Sequence, residues 1–547
     1  MFKRVNFIIL LTLLSCSLWS QTNKNTEHEM PKLVVGIVVD QMRYDFLYRY
    51  YDRLGENGLK RLIRDGVNCI NTHYNYTPTY TGPGHASIYT GSSPAVHGIT
   101  SNTWYERNLA REVYCTEDNN VKGVGTDSPA GLESPRNMKS TSITDQLKLA
   151  TGFRSKVIGV ALKDRGSILP AGHSADAAYW YDAETGNFIT STYYRNELPQ
   201  WALDFNAMQY SEKYLNSVWE TLYPLETYVQ SDTDNRDYEE PLKGEVLPVF
   251  PHKYIPGTKR RYDNIYASPF GSILTTDFAL AALKGENLGK NKVTDFLAVS
   301  YSSTDYIGHG FGPNSIEVED AYLRLDIEFE KLFNALDAQV GKGNYLVFLT
   351  ADHGICDVPG HSEAHKLPGR ILGSKILWDS LNEYLNKTFT PAKYLIKCSS
   401  YQYFIDYKQL KNKNISHKEF FDAVRTYLLK HEGIAEVIDL HNIGNTAYPE
   451  LFINKIKNGI NPKRSGDIFV MLEPGWLGSG KKGTTHGSLY EYDSHVPLIF
   501  YGWKLRPREV VTPVNITDIA PTLAAMLHIL APSGCIGTAI PEIAGSR

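Results

Sequence analysis

The chain has 547 residues, of which 42% are hydrophobic and 21% are charged, and its formal net charge at pH 7 is -4. This composition is typical of a globular protein with one large domain or two to three modest ones. The slight acidic balance gives no electrostatic reason to expect nucleic acid or an anionic membrane surface as a partner.

The N-terminus predicts export. Residues 1–4 are basic, residues 7–14 form a short apolar core, and small residues follow up to Ser20. This order is typical of a secretory signal peptide at residues 1–20, cleaved after Ser20, and implies a periplasmic or secreted protein. The sequence around Cys16 also resembles a lipoprotein cleavage box, so a lipid anchor on Cys16 is the alternative. No later segment is apolar for long enough to span a bilayer.

The rest of the chain predicts an α/β fold with a mostly parallel central sheet flanked by helices, because apolar strand-like runs alternate with helical patterns. Two stretches interrupt this alternation and are expected to be insertions. The expected divisions are core segments at 30–170, 271–369 and 466–547, an aromatic-rich cap at 171–270, and a small α/β lobe at 370–465. The run 467–472 is expected to resume the core sheet.

The first strand-like run, residues 34–39, ends at Asp40. In open α/β sheets, ligand sites gather beyond the carboxyl ends of strands, so a carboxylate at this point is a site candidate. A helical stretch then begins near Thr81, where free backbone N–H groups favour an anion. Taken alone, Thr81 could be only a helix cap. Asn102 follows in a turn, where asparagine is also common for its own turn chemistry.

Two more runs end in polar residues. Residues 157–161 are followed by Lys163 and Arg165, and residues 296–301 by Asp305 and His309. Lysine and arginine are also common at solvated strand ends. The second pair adds a carboxylate and an imidazole to the candidates at the carboxyl edge of the sheet.

A helix with an apolar face at positions 322, 325, 329, 332 and 336 is expected next, covering the sheet. The run 345–350 then ends at Asp352 and His353, and His486 lies in a later Gly-containing turn. His361 and His365 are predicted to lie in a surface loop, although their spacing also allows a third metal site.

Cysteine usage supports no thiolate zinc site, because the chain has no C-x-x-C motif. Loss of Cys16 with the signal peptide would leave five cysteines. Cys69 and Cys115 are a possible pair.

Carboxylate and imidazole side chains suit zinc, and this Asp/His set is large enough for two metal ions. A lone strand-end aspartate would more often be an ordinary surface residue. Several strand ends that carry such ligands together favour a metal centre instead.

Taken in order, these motifs resemble the alkaline phosphatase superfamily, and more closely its bacterial PafA-type branch, from about residue 32 to 522. The resemblance implies two zinc ions and a nucleophilic threonine, Thr81. It implies that one ion is held by Asp305, His309 and His486, and the other by Asp40, Asp352, His353 and Thr81. In the resembled monoesterases, residues equivalent to Asn102, Lys163 and Arg165 contact the phosphoryl oxygens.

The expected function is therefore hydrolysis of small phosphate monoesters by an exported zinc enzyme through a covalent phosphothreonine. Two alternatives stay open: a nucleotide phosphodiesterase or pyrophosphatase of the same superfamily, and a catalytically silent zinc-binding protein. A sulfatase is not expected, because the Cys/Ser-x-Pro-x-Arg segment is absent.

Overall fold

The computed structural model describes residues 29–254, 260–478, 480 and 482–545. The predicted signal peptide, its cleavage after Ser20 and the alternative anchor at Cys16 lie outside these residues. Within the described part of the chain, no helix is both long and apolar enough to cross a membrane.

The strands are short, and those of the central sheet are rich in Val, Ile, Leu and Phe, which suits burial on both faces. In chain order they are β1 (Leu33–Val39), β2 (Val67–Cys69), β3 (Thr72–His73), β4 (Thr103–Glu106), β5 (Arg111–Tyr114), β6 (Gly123–Val124), β7 (Val157–Ala161), β8 (Ala177–Asp182), β9 (Asn187–Ser191), β10 (Val218–Trp219), β11 (His252–Lys253), β12 (Asp295–Tyr301), β13 (Tyr345–Thr350), β14 (Leu395–Ser399), β15 (Gln402–Ile405), β16 (Ile434–Asp439), β17 (Ile468–Leu472), β18 (Leu498–Gly502), β19 (Arg508–Val510) and β20 (Val514–Asn515).

The α-helices that alternate with them are α1 (Phe46–Arg49), α2 (Leu59–Asp65), α3 (Thr81–Thr90), α4 (Pro94–His97), α5 (Ile143–Ala150), α6 (Asp164–Ala171), α7 (Gln200–Ala207), α8 (Tyr210–Leu215), α9 (Pro269–Gly285), α10 (Ser303–Phe311), α11 (Ile316–Gln339), α12 (Pro359–Ala364), α13 (Ser374–Thr388), α14 (Tyr407–Asn412), α15 (His417–Leu428), α16 (Glu450–Gly459), α17 (Glu491–Ser494), α18 (Ile519–Met526) and α19 (Pro541–Ala544).

The main sheet has ten strands in the order β19-β2-β18-β13-β1-β12-β7-β8-β9-β6. Its five central strands, from β13 to β8, run parallel, while β18 and β9 turn antiparallel on either side. Strand β1 lies in the middle, with Leu33 beside both Asp295 and Tyr345. The predicted α/β fold with a mostly parallel sheet is confirmed.

This topology positions the candidate site. The carboxyl ends of parallel neighbours meet at one edge of a sheet, so side chains that follow those ends lie close together. Asp40 follows β1, Asp352 follows β13, Lys163 follows β7, and α10 with Asp305 follows β12.

The small lobe has its own antiparallel sheet, in the order β14-β15-β17-β16. The expectation that the run 467–472 resumes the core sheet is wrong, because β17 pairs with β15 and β16 instead. Helices α13 and α15 pack apolar residues against this sheet, including Leu381 and Phe420, which are fully buried. A buried apolar run satisfies either sheet equally well, so its periodicity did not reveal which one it joins.

The expected cap at 171–270 also contributes to the main sheet. Strand β8 pairs in parallel with β7, and β9 pairs with β8. The segment more distant from the sheet contains a two-stranded ribbon, β10 with β11. The predicted boundary at residue 171 therefore separates strands that share one sheet.

The long helix α11 has the expected apolar face, with Leu325, Phe329 and Leu332 fully buried. Asp326, which lies outside this set of apolar positions, is buried as well. Its carboxylate accepts hydrogen bonds from the backbone N–H groups of Gly55 and Leu59, both at 2.6 Å, where α2 begins. This arrangement satisfies N–H groups that a helix start leaves unpaired.

Cys69 and Cys115 are both buried and unpaired, so the possible disulfide between them is not formed. Their thiols are shielded from water, and burial raises the pKa of the Cys69 thiol to about 12.

Candidate active site

The sheet edge brings together the seven side chains that the sequence singled out as metal ligands. They are Asp40, Thr81, Asp305, His309, Asp352, His353 and His486, which are buried apart from His309. Two ligand groups have donor atoms within 4.8 Å of one another: Asp40, Asp352 and His353 form one, and Asp305, His353 and His486 form the other. His309 joins the second group through Asp305, with its Nε2 at 3.2 Å from Oδ1.

The three histidines present a free nitrogen to the cluster. The Nδ1 atoms of His309, His353 and His486 lie 2.7 to 3.0 Å from the backbone carbonyls of Thr484, Gly354 and Thr79 respectively. A carbonyl can only accept, so in the neutral ring Nδ1 carries the proton and Nε2 keeps its lone pair. Metal-binding histidines are held in this way, with the second ring nitrogen donating to an oxygen.

The carboxylates form a setting that suits a cation. Oδ1 of Asp40 and Oδ2 of Asp352 are buried and have no hydrogen-bond partner among the described residues. Burial, and then the neighbouring charge of Asp40, raise the pKa of Asp352 well above its usual range. A buried carboxylate oxygen without a donor is costly unless a proton or a metal ion neutralises it. The donor set of carboxylates and imidazoles therefore fits zinc.

Thr81 lies at the first position of α3 and is buried. Its Oγ1 is 3.5 Å from Nε2 of His353, which places the hydroxyl within the ligand cluster. The backbone N–H groups of a helix start point at this place, and they favour an anion there.

Lys163 lies deeper in the cluster than a solvated strand end would allow. Its ammonium donates to Oδ2 of Asp40 at 2.7 Å and to Oδ2 of Asp305 at 2.5 Å. Burial opposes its charge, but the two carboxylates outweigh burial and raise the pKa of Lys163. Because an ammonium has three hydrogens, one is left for another acceptor.

Asn102 contacts the residue that follows Thr81, and Arg165 is held by a tyrosine. Oδ1 of Asn102 accepts from the backbone N–H of Gly82 at 2.7 Å, which leaves its NH₂ group as a donor. The Arg165 Nη1 donates to the hydroxyl of Tyr114 at 2.8 Å, and its buried Nε has no partner among the described residues.

Two residues with a supporting part were missed from the sequence. Gln41, which has a positive φ of 68°, donates its N–H to Asp352 at 3.1 Å and its Nε2 to Asp305 at 2.7 Å. Tyr114 holds Arg165 and donates to Asp164 at 2.6 Å. Gln41 could have been found from the sequence, because it directly follows Asp40. Tyr114 could not, because it lies in a distant hairpin that carries no motif.

His361 and His365 lie at the end of α12 rather than in a loop, so that expectation is wrong. Pro359 starts the helix, and the His365 Nδ1 lies 2.9 Å from the His361 carbonyl one turn earlier. Asp232 lies near both rings, and one ligand atom from each of the three side chains falls within 4.8 Å. Asp232 already accepts from the Tyr238 hydroxyl at 2.6 Å.

Comparison with known proteins agrees with this geometry. The family described as Type I phosphodiesterase / nucleotide pyrophosphatase matches residues 34–496. Alkaline phosphatase PhoV of Synechococcus elongatus is 47% identical over 94% of this chain and 93% of its own length. Alkaline phosphatase PafA of Elizabethkingia meningoseptica is 46% identical over 94% of this chain and 95% of its own.

The similarity extends to the fold. The crystal structure of wild-type alkaline phosphatase PafA superimposes with a TM-score of 0.90, covers 94% of this chain and 99% of its own, and shares 46% of its residues. The chain belongs to the type I phosphodiesterase / nucleotide pyrophosphatase family of the alkaline phosphatase superfamily, and it is an alkaline phosphatase.

Proposed function

We propose that the protein is a zinc-dependent phosphomonoesterase that works through a phosphothreonine on Thr81, with a broad range of leaving groups. One observation carries this proposal: the Thr81 hydroxyl lies among buried carboxylate and imidazole atoms that suit metal ions, and two of the carboxylate oxygens have no hydrogen-bond partner among the described residues. One zinc ion would be held by Asp305, His309 and His486, and the other by Asp40, Asp352, His353 and Thr81. Bound there, the ions would supply Lewis-acid charge that lowers the pKa of the hydroxyl and stabilises the leaving oxygen.

The chain's own residues would do the rest. Thr81 Oγ1 forms a bond to phosphorus, and the bond from phosphorus to the ester oxygen breaks, so that the alcohol leaves. A water molecule then cleaves the phosphothreonine, giving inorganic phosphate and restoring the Thr81 hydroxyl. His309, His353 and His486 keep their Nε2 atoms directed at the site through their carbonyl contacts.

Specificity for a monoester would come from Asn102, Lys163 and Arg165. Each has a donor that the protein leaves available: the NH₂ group of Asn102, one hydrogen of the Lys163 ammonium, and the Nε of Arg165. A monoester dianion has three unesterified oxygens that can accept from such donors. A diester replaces one of these oxygens with a second ester group.

The second candidate is a nucleotide phosphodiesterase or pyrophosphatase, which the description of the matching family favours. The two can be separated with the monoester and the diester of one phenol, so that the leaving group is the same. We expect a higher kcat/KM for the monoester. A higher value for the diester would support the second candidate and contradict ours.

Metal dependence is tested on the same preparation. We expect about two equivalents of zinc per chain, loss of activity on chelation, and recovery when zinc is added, as two-metal catalysis requires. Full activity after chelation, or with a single equivalent, would contradict the proposed centre.

We also propose that the protein is exported. The support is the basic, apolar and small-residue order of residues 1–20. The mass of the mature protein should correspond to a chain that begins at Gln21. A diacylated chain that begins at Cys16 would show the alternative, and a retained Met1 would contradict export.

A further inference from the structure

A second group of metal-ligating side chains lies on the same edge of the main sheet, beside β18 and β2, the strands that follow β13 in the sheet order. His73 belongs to β3, which follows β2, and His495 precedes β18. Glu491 begins α17 and reaches towards both histidines. One nitrogen of each histidine and one oxygen of Glu491 lie within 4.8 Å of one another.

Both imidazoles have their tautomer fixed by an oxygen acceptor. His73 places Nε2 at 2.7 Å from Oδ1 of Asn71, whose amide is oriented by a bond from its Nδ2 to the carbonyl of Val511. His495 places Nε2 at 3.1 Å from the carbonyl of Ile70. In each neutral ring the lone pair is therefore on Nδ1, and an oxygen acceptor on the opposite nitrogen is the usual support of a metal-binding histidine.

Two acceptor atoms of this group face each other. Nδ1 of His73 lies 3.4 Å from Oε2 of Glu491. In the neutral tautomer that donates from Nε2 to Asn71, Nδ1 of His73 and the carboxylate oxygen are both acceptors. The nearby ammonium of Lys455 donates to the carbonyl of Leu489 at 2.9 Å and to the hydroxyl of Ser494 at 3.0 Å, which are groups outside this cluster.

The group at Asp232, His361 and His365 differs in this respect. There the Tyr238 hydroxyl donates to the carboxylate, and Arg236 lies 3.5 Å from its other oxygen. That carboxylate is satisfied by the chain itself. The group at His73 has no such donor among the described residues.

We propose that His73, Glu491 and His495 bind a divalent transition metal ion of the zinc type, apart from the active site. Two imidazoles and one carboxylate are a ligand set that zinc accepts, with water completing the coordination. The side chains of His73 and Glu491 are 23% and 71% exposed, so an ion can enter from solvent.

Such an ion would hold the active-site loop in place. It would tie β3 to the segment 491–495, whose backbone carbonyls at Asp493 and Tyr492 accept from Gly354 and Ile355, both at 2.8 Å. Gly354 directly follows the ligand His353. The same segment also accepts from the N–H of Tyr44, just beyond Asp40, at 3.3 Å.

The test is zinc binding by the full chain at equilibrium, with bound zinc measured per chain by atomic emission over a range of free zinc. Glu491→Gln and His73→Gln are compared with wild type and with two controls from one distant surface, His431→Gln and Glu432→Gln. Each test variant should lose one equivalent relative to wild type, or bind that equivalent at least about tenfold more weakly, since one of three ligands is gone.

The comparison is a difference between variants, so it does not depend on how many ions the active site holds. Unchanged zinc binding in both test variants would overturn the proposal, even if the enzyme proved to be the phosphatase proposed above. Equal losses in the controls would also overturn it, because they would show non-specific binding. Should His73→Gln fail to fold, the exposed Glu491→Gln gives the result alone.

Discussion

Two threonines stand two residues apart at the start of α3, and their surroundings differ. Thr81 Oγ1 faces the His353 ring at 3.5 Å, whereas the Thr79 hydroxyl donates to the carbonyl of Ser488 at 2.8 Å. A hydroxyl that is already donated to a carbonyl cannot also face the ligand cluster. Position within the fold, rather than residue type, therefore favours Thr81 over Thr79 as the proposed nucleophile.

Replacing Thr81 by alanine should remove the acceptor of the phosphoryl group. We expect kcat on an aryl monoester to fall by several orders of magnitude, since covalent catalysis loses its nucleophile. Acid quenching of wild type with substrate should trap phosphate on Thr81, as located by peptide mass spectrometry. Thr79→Ala is the matched control and should keep the trapped phosphate. Phosphate on Thr79 instead would refute the assignment.

Lys163 and Arg165 should matter more for a monoester than for a diester. Interactions that strengthen towards the transition state raise the rate. Removing one such donor typically raises the activation free energy by about 3 kcal/mol. In the double variant Lys163→Ala, Arg165→Ala, the monoester to diester ratio of kcat/KM should fall at least about tenfold. Zinc content is measured alongside, because Lys163 contacts Asp40 and Asp305. Equal losses on both esters would mean that the pair only supports the structure.

At the residue scale, the sequence identified the side chains that cluster at the sheet edge better than the residues that support them. Asp40, Asp352 and His353 could be found because each directly follows an apolar run. The role of Tyr114 could not be predicted from the sequence, because Tyr114 lies in a distant hairpin and contacts Arg165 only in the folded protein. The same holds for Asp232, which comes within reach of His361 across more than a hundred residues.

At the scale of elements, α3 packs its backbone directly against the end of β13. A Cβ added at Gly84 would lie 2.4 Å from the carbonyl oxygen of Asp352 and 2.7 Å from its Cβ, both closer than atoms can approach. The glycine therefore allows the nucleophile helix to contact the strand end that supplies two ligands. The sequence pattern predicted α3 and β13, but not how closely they pack against each other.

Gly84→Ala should move these two elements apart. We expect the free energy of unfolding to fall by about 1–3 kcal/mol, the usual effect of overpacking, with a larger effect on kcat because Thr81 moves from its ligands. Urea unfolding and monoester kinetics measure the two effects. Gly444→Ala is the control, since a Cβ there meets nothing within 4 Å. If Gly84→Ala kept the wild-type free energy of unfolding and the wild-type kcat, the contact between Gly84 and Asp352 would not be rigid.

A charged histidine, His252 of β11, links the ribbon of β10 and β11 to Glu317 of α11. Burial opposes the charge of His252, but hydrogen bonds to Glu245 at 2.9 Å and Glu317 at 3.2 Å outweigh it and raise its pKa to about 9. The ordinary value is 6.5. A folded-state pKa above the unfolded one stabilises the protein fully below pH 6.5, and this contribution is lost as pH rises through 9.

The free energy of unfolding should therefore fall between pH 6.5 and 9.5 by an amount on the order of 3 kcal/mol at most from this histidine. Urea unfolding of wild type and His252→Gln at several pH values measures the contribution as a difference in slope. The variant should be less stable at pH 6 and should lose less on going to pH 9.5. Parallel curves for the two proteins would show that His252 is uncharged in the fold.

At the scale of the whole molecule, the alternation of apolar runs and helical patterns predicted the main sheet, since buried parallel strands leave a strong apolar signal. It could not predict which sheet receives β17, nor that β8 and β9 extend the main one. Those choices depend on pairing between distant segments. The boundaries of the three core segments and two insertions remain a proposal.

The central position of β1 also means that it is synthesised long before the strands that pair with it. Its two neighbours lie about 260 and 310 residues further along the chain. At a synthesis rate of about 5–20 residues per second, the first of them emerges tens of seconds after β1. During that interval an apolar strand has both of its edges unpaired, a condition that invites aggregation. A protein built in this way benefits from being kept unfolded until it is complete, and delivery across a membrane as an extended chain would provide that delay.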